Sequence, residues 1–211
     1  MKSYLKIDYL CKDIAIIHAN ICGDGNSYIK MAKRSPSNVK KGRTERYAVH
    51  ILEYTNTCET LLDRFEEIIK RIAPQTYVYR GRQRIQIRNK LLFEFIKKLG
   101  AGKSLEWKIP QEIINDSSLR RVWLAAFFDD EGSITESAIV YYSSNKNSLE
   151  DVKKMLELEG IECTFYSRYL KNSTNPGYIL RIRNRSHKTF LQKIPFIHPK
   201  KRLAYQKYWT K

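Results

Sequence analysis

Cysteine is scarce in this chain and scattered. The four Cys residues among 211 fall at Cys11, Cys22, Cys58 and Cys163 and form no CxxC pair. His18, His50, His187 and His198 add no metal-ligand spacing. Free thiols in a reducing compartment are therefore expected in preference to a zinc site or disulfides. No apolar run approaches the ~20 residues of a membrane span, and Met1-Lys2-Ser3-Tyr4-Leu5-Lys6 lacks the apolar stretch of a signal peptide. A soluble intracellular protein is expected, in the cytoplasm or an organelle matrix and not secreted. Acid is short as well: 22 Asp and Glu stand against 39 Lys and Arg, a net charge of +17. Such a surplus repels itself in a compact fold unless a polyanion neutralises it, which makes nucleic acid the leading partner. A membrane surface is the weaker alternative, because the basic residues alternate with Tyr and Ile in strand-like runs and do not line one amphipathic helix.

What the chain does have is a folded protein's share of apolar residues, 42% with 12% aromatic, and an internal repeat. Leu61, Leu62, Phe65, Ile68, Ile69 and Ile72 recur at helical spacing. Strand-like runs Thr76–Arg80 and Arg82–Arg88 follow, then a helical stretch Lys90–Leu99 closed by Gly100. The second half repeats the order. A helix Ser148–Glu159 is opened by Ser148 and closed by Gly160, strands Glu162–Leu170 and Tyr178–Arg183 flank a turn at Asn172–Gly177, and a short helix covers Ser186–Lys193. Ile87-Arg88-Asn89-Lys90 is echoed by Ile182-Arg183-Asn184-Arg185 at the same place in the order. Upstream, each half opens with an apolar helix ending in an acid and a glycine, Asp13–Gly25 and Leu119–Gly132, followed by strand material. The expected fold class is α+β, two pseudo-symmetric αββαββα halves forming a saddle with the two acid-ended helices at the shared interface. The first half takes residues 1–100, a linker 101–117, and the second half 118–211, ending in a basic helix from Pro199.

The segments Ile17-His18-Ala19-Asn20-Ile21-Cys22-Gly23-Asp24-Gly25 and Leu124-Ala125-Ala126-Phe127-Phe128-Asp129-Asp130-Glu131-Gly132 resemble the nine-residue LAGLIDADG motif of homing endonucleases. Two copies on one chain resemble the single-chain members of that family. Ala19 and Gly23, four apart, would let two helix backbones approach closely and bring Asp24 and Glu131 together. Paired acids at the negative ends of two helix dipoles are unfavourable unless cations offset them. Hard ions of the Mg²⁺ (or Mn²⁺) type suit such oxygens and can generate a hydroxide nucleophile. Asp130, standing where the motif has a small residue, is expected to point away from the interface or to loosen the contact. The resemblance implies catalytic Asp24 and Glu131, metal contacts from Asp24, Gly23, Glu131 and Asp130, and a helper lysine in each half, Lys103 and Lys200. Asn56 and Asn145 are expected to hold water beside the acids.

Strand alternation separates a core face from a basic face. Ile85 and Ile87 point one way, Arg84, Gln86 and Arg88 the other. Tyr28, Lys30 and Arg34 share a face, with Thr135 and Ser137 as their expected equivalents. Arg80, Arg82, Arg168, Arg181 and Arg183 complete the expected DNA-binding set, and the loop Lys33–Thr44 is expected to reach along the duplex. Gly102-Lys103-Ser104 mimics the end of a P-loop, but Lys97 stands where the upstream glycine is required and a helix precedes it, so an NTPase is rejected. The resemblance implies a monomeric endonuclease that cuts both strands of double-stranded DNA across the minor groove, leaving short 3′ overhangs. Its gene would lie within an intron or intein, although no protein-splicing sequence is visible. The alternatives are an RNA-splicing maturase binding intron RNA, and a non-cleaving DNA-binding regulator on the same fold.

Overall fold

The computed structural model describes residues 10–41, 43–168 and 176–209. The first half runs α1 (Lys12–Cys22), β1 (Gly25–Lys33), a short α2 (Pro36–Lys40), β2 (Arg46–Thr55), α3 (Glu59–Ile72), β3 (Tyr77–Arg80), β4 (Arg84–Arg88) and α4 (Lys90–Lys98). After α5 (Gln111–Asn115) the second half runs α6 (Ser117–Glu131), β5 (Gly132–Ile134), β6 (Ile139–Ser143), α7 (Lys146–Leu158), β7 (Cys163–Arg168), β8 (Gly177–Ile182), a 3-10 turn Asn184–Ser186, α8 (His187–Lys193) and α9 (Pro199–Trp209). The sheets have matching orders, β1-β2-β4-β3 and β5-β6-β8-β7, and every pairing is antiparallel. The fold is thus the expected α+β repeat. Among the described residues no helix is long and apolar enough to cross a membrane, and all four cysteines are free.

Local chemistry accounts for most element boundaries. The apolar stripe of α3 is buried along its whole length, from Leu61 to Ile72. The Asn89 side chain accepts from the Leu92 amide and starts α4. Gly100 and Gly160 adopt φ of 100° and 72°, the left-handed conformation that favours glycine. In both, the two following-residue amides return to the last turn, Gly100 to Lys97 and Ala101 to Ile96, Gly160 to Glu157 and Ile161 to Leu156, so orphan carbonyls are satisfied.

Two boundaries differ from expectation. Helix α7 starts at Lys146, because Asn145 rather than Ser148 supplies the capping oxygen, accepting from the Ser148 amide at 3.2 Å. The segment expected as a linker is built into the core: Trp107, Ile109, Ile113 and Ile114 are buried. The Trp107 ring lies 5.2 Å from Phe127, and its carbonyl accepts from Asn145 Nδ2 at 2.8 Å and from the Ser148 hydroxyl. Burying such a ring stabilises the fold by roughly 1.5–3 kcal/mol, so this crossing ties the halves together. The sheets are also unequal. Strands β1 and β2 have 9 and 10 residues, whereas β5 and β6 have 3 and 5. The 172–175 part of the expected turn and the ends of the expected strand at 169 and 170 lie outside the described residues.

Candidate active site and nucleic-acid interface

Helices α1 and α6 pack side by side between the two sheets. Each is buried on nearly every face, as the apolar and small residues Ile14, Ala15, Ile17, Ala19 and Ile21 of one and Trp123 to Phe128 of the other require. Polar pairs fix their register. Trp123 Nε1 donates to His18 Nδ1 at 3.0 Å, while His18 Nε2 donates to the Leu99 carbonyl at 3.1 Å. Burial lowers the His18 pKa to about 4, so the ring is neutral with its proton on Nε2. Asn20 Nδ2 donates to Asp130 Oδ2 at 2.8 Å across the same contact.

At the C-terminal end of α6 three consecutive acids go three ways. Asp129 is buried and accepts from Arg64 of α3 at 3.0 Å, from the Ile197 amide at 2.9 Å and from the His198 amide at 2.8 Å. Asp130 turns into the helix interface, where its Oδ1 takes the Tyr54 hydroxyl at 2.6 Å and Asn56 Nδ2 at 3.3 Å. The expectation that Asp130 points away, or that the contact loosens there, is therefore corrected: a Cβ on Gly23 would stand 2.9 Å from the Asp130 Cβ. Both Asp130 oxygens accept from protein donors on the facing elements, so the side chain locks the two helices together. Gly23 belongs to that same close contact. Glu131 is left facing Asp24. Burial and then the charge of Asp24 raise its pKa to about 7.

Asp24 follows α1 at the solvent-facing mouth. Surrounding protein raises its carboxyl pKa, against which the charge of Lys201 and a 2.8 Å hydrogen bond from Asn56 Nδ2 to Oδ2 act. Asn56 cannot flip, because its Oδ1 accepts from the Cys58 amide at 2.8 Å. It thus holds Asp24 directly, one bond closer than the water-mediated role expected of it. Asn145 is not brought to the acids at all; it caps α7 and holds Trp107.

The basic residue at the acids is Lys201, not Lys200. Lys201 Nζ donates to the carbonyls of Phe128 at 2.6 Å and Asp129 at 2.7 Å, the last turn of α6. Burial lowers its pKa, while Asp129, Asp130, Asp24 and Glu131 all act to raise it. Lys200 is exposed on α9. Lys103 is exposed too, in a turn where its carbonyl accepts from the Glu106 and Trp107 amides, and among the described residues the first half brings no equivalent of Lys201 to the acids. His18, Asn20, Tyr54, Arg64, Asp129 and Lys201 are the site residues that sequence reasoning missed. The strongest available signal was helical register after Pro199, which separates Lys200 from Lys201 by about 100°.

Among the described residues no three His, Cys, Asp or Glu side chains gather as a metal cage. The pair still suits Mg²⁺ or Mn²⁺. Asp24 Oδ1 and both Glu131 oxygens accept no hydrogen bond among the described residues, and like charges facing each other favour a divalent cation. Small hard ions keep several waters and take one or two carboxylates plus substrate phosphate oxygens.

The open face of the first sheet carries rows that cross all four strands. Asn26, Glu53, Gln86 and Tyr79 form one row; Tyr28, Ile51, Arg88 and Tyr77 form the next. Lys30, Arg84 and the exposed Arg82 of the β3–β4 turn complete it, and the Arg34 guanidinium lies 4.4 Å from the Tyr47 ring centroid. Arg80 is the exception. It shares the helix side with Ile85 and pairs with Asp63 at 2.8 Å and Glu66 at 3.0 Å on α3. On the second sheet Arg181 shares the open face with Val140 and Thr164, its Nη2 donating to the Ser137 carbonyl at 2.6 Å. Arg183 follows β8 exposed. Thr135 and Ser137 lie beyond β5 in a turn, the Thr135 amide donating to the Ala138 carbonyl at 2.9 Å. Ser133 is the open-face residue within β5, and the expected equivalents of Tyr28 and Lys30 lie just past the end of that shorter strand. The side chain of Arg168 lies outside the described part.

Residues 118–195 match the family model of a LAGLIDADG-like domain. Solved structures of mesophilic variants of the homing endonuclease I-DmoI align with a TM-score of 0.66 at 16% identity, covering 92% of this chain and 97% of that one. I-DmoI in complex with DNA and Mn aligns at 0.63 and 17% identity, covering 87% and 96%. The second half is therefore a LAGLIDADG-like domain. The chain as a whole has the LAGLIDADG fold, with two pseudo-repeat halves. A curated relative, the replication factor C small subunit of Methanocaldococcus jannaschii, is 30% identical over 158 residues, 71% of this chain, and the chain spans 8% of that relative's length.

Proposed function

We propose that the protein is a site-specific double-strand DNA endonuclease, acting as a monomer on duplex DNA with Mg²⁺ or Mn²⁺. The observation that carries this is the pair Asp24 and Glu131, which one chain sets at the adjoining ends of α1 and α6 beside a partly desolvated Lys201. A DNA-binding regulator needs the basic sheet faces but has no use for mutually repelling acids. Divalent ions held by the two carboxylates would, when bound, activate water and offset charge on phosphoryl oxygens. Asn56 orients Asp24, and the ammonium of Lys201 is near enough to stabilise charge developing at the scissile phosphate. Because both acids lie at one junction, the two strands must present their phosphates close together, as they do across the narrow minor groove. Phosphates facing each other there are staggered so that cleavage leaves short 3′ overhangs. The narrow match within a far longer relative fits a reading frame carried inside a host gene.

The test is cleavage of a duplex selected for binding, or of the uninterrupted host sequence, in Mg²⁺ and in EDTA. Cutting that requires the metal, and that Asp24→Asn and Glu131→Gln each abolish while still binding, is the expected result. Undiminished cutting by either variant would sink this active site. Binding without cutting would make the protein a regulator, and selective binding of structured intron RNA would make it a maturase.

A further inference from the structure

Among the strand positions of the first sheet's open face, one residue is an acid: Glu53. An acid on a surface meant for phosphates is repelled by them, so its presence needs a local reason. Two arginines flank it across the sheet, Arg84 and Arg88, yet neither forms an ion pair with it. Their guanidinium carbons lie instead over aromatic rings, Arg84 at 5.9 Å from Tyr79 and Arg88 at 5.0 Å from Tyr77.

What Glu53 does hold is a pair of donors. The Tyr28 hydroxyl donates to Glu53 Oε2 at 3.5 Å, and Gln86 Nε2 donates to the same oxygen. Gln86 Nε2 also donates to the Tyr28 oxygen at 3.3 Å. A carboxylate only accepts, so it forces the Gln86 amide to turn its nitrogen inward. Every donor in the cluster is then spent inside it. The groups left over are both acceptors, Oε1 of Glu53 and Oε1 of Gln86, neither of which is hydrogen-bonded among the described residues.

In the major groove only cytosine N4 and adenine N6 present amino donors, while guanine O6 and thymine O4 present acceptors. Resting on the DNA-binding surface proposed above, we infer that Glu53 and Gln86 together select a base with an exocyclic amino group, cytosine or adenine, at one position beneath the first sheet. Guanine or thymine at that position brings acceptor against acceptor and is rejected by repulsion. Glu53 also orients Gln86, so removing its charge releases the amide to turn and donate.

The experiment is selection of bound duplexes from a randomised pool in Ca²⁺ with EDTA-free buffer, followed by sequencing, for the wild type, Glu53→Gln and Gln86→Leu. Thermal unfolding of each variant verifies that it is folded. The wild type is expected to show a position restricted to A or C on one strand, by on the order of tenfold or more. Glu53→Gln is expected to admit G or T at that position and leave the other positions unchanged, and Gln86→Leu to weaken the same position. A Glu53→Gln motif identical to the wild type, or a wild-type preference for G or T at the position that changes, would overturn the inference. A wild type that enriches no duplex sequence would remove the DNA-binding reading itself, and this assignment with it. Neither result depends on cleavage.

Discussion

The indole N–H of Trp123 donates to His18 Nδ1 at 3.0 Å across the contact between the two motif helices. Complete burial disfavours the imidazolium and lowers the His18 pKa to about 4, against the hydrogen bond to the Leu99 carbonyl, which acts to raise it. A histidine depressed in the folded state is protonated first in the unfolded chain. Stability should thus be fully present above the ordinary histidine pKa of ~6.5 and be lost as pH falls from there towards 4, by about 3 kcal/mol in all. Glu131, raised to about 7, acts in the opposite sense, favouring the folded state below ~4.5 and withdrawing that stability as pH rises through 7. The two are separable by difference. Urea midpoints from pH 7 to pH 4 should fall more steeply in the wild type than in His18→Gln, and parallel curves would count against a His18 held neutral by burial.

The close approach at Gly23 gives a second expectation. Gly23 has a negative φ of −81°, so no left-handed conformation is asked of it, and the contact that constrains it is one of space. Alanine would set its Cβ 2.9 Å from the Asp130 Cβ, and two Cβ atoms cannot yield without moving a helix. Gly23→Ala should cost about 1–3 kcal/mol, read as a fall of roughly 2–4 °C in Tm per kcal/mol for a chain this size. Gly102→Ala, whose nearest neighbour would be at 3.4 Å, should be nearly neutral. Equal effects at both glycines would contradict the tight helix contact.

How much of this was readable before the fold depends on whether a feature is local. The positive-φ glycines at 100 and 160, the buried stripe of α3 and the alternation of Ile85, Gln86 and Ile87 follow from neighbours within a few residues, and each lies where periodicity and capping put it. Asp24 and Glu131 were legible because the repeat placed them equivalently. Asp130 was not, since its donors come from Asn20, Tyr54 and Asn56, the farthest of them 110 residues away. Trp107 sat in a stretch rich in glycine and serine, and only the long-range contacts with Trp123 and Phe127 bury it. Arg80 is instructive because alternation alone, applied from Tyr77, puts it on the helix side; the composition of the run obscured its parity.

That parity yields a test of the interface. Arg84 lies on the open face and Arg80 is held by Asp63 and Glu66 on the other side of the sheet. Arg84→Ala should weaken duplex binding and reduce the slope of log K against log salt by about 1 if it meets a phosphate. Arg80→Ala should leave that slope unchanged, and because its ion pairs are partly solvent-exposed it should lower stability by no more than about 1 kcal/mol. Filter binding across a salt series distinguishes them. An Arg80 effect on the slope equal to that of Arg84 would mean that the two share a DNA-facing surface.

Adjacent lysines make the sharpest comparison for the chemistry. Lys201 Nζ is tied to the Phe128 and Asp129 carbonyls, beside both acids, while Lys200 is exposed on the next position of the same helix. If the ammonium stabilises charge at the scissile phosphate, Lys201→Met should slow single-turnover cleavage by roughly 10²–10³-fold, with duplex binding in Ca²⁺ little changed. Removing that ammonium also frees two carbonyls at the end of α6, so some loss of Tm accompanies it. Lys201→Arg, which keeps the charge and can satisfy those carbonyls, should restore stability and part of the rate, whereas a purely structural lysine would give full rate once stability returned. Lys200→Met should cleave like the wild type. A rate loss in Lys200→Met that matched Lys201→Met would return the helper role to the exposed lysine and displace Lys201 from the site.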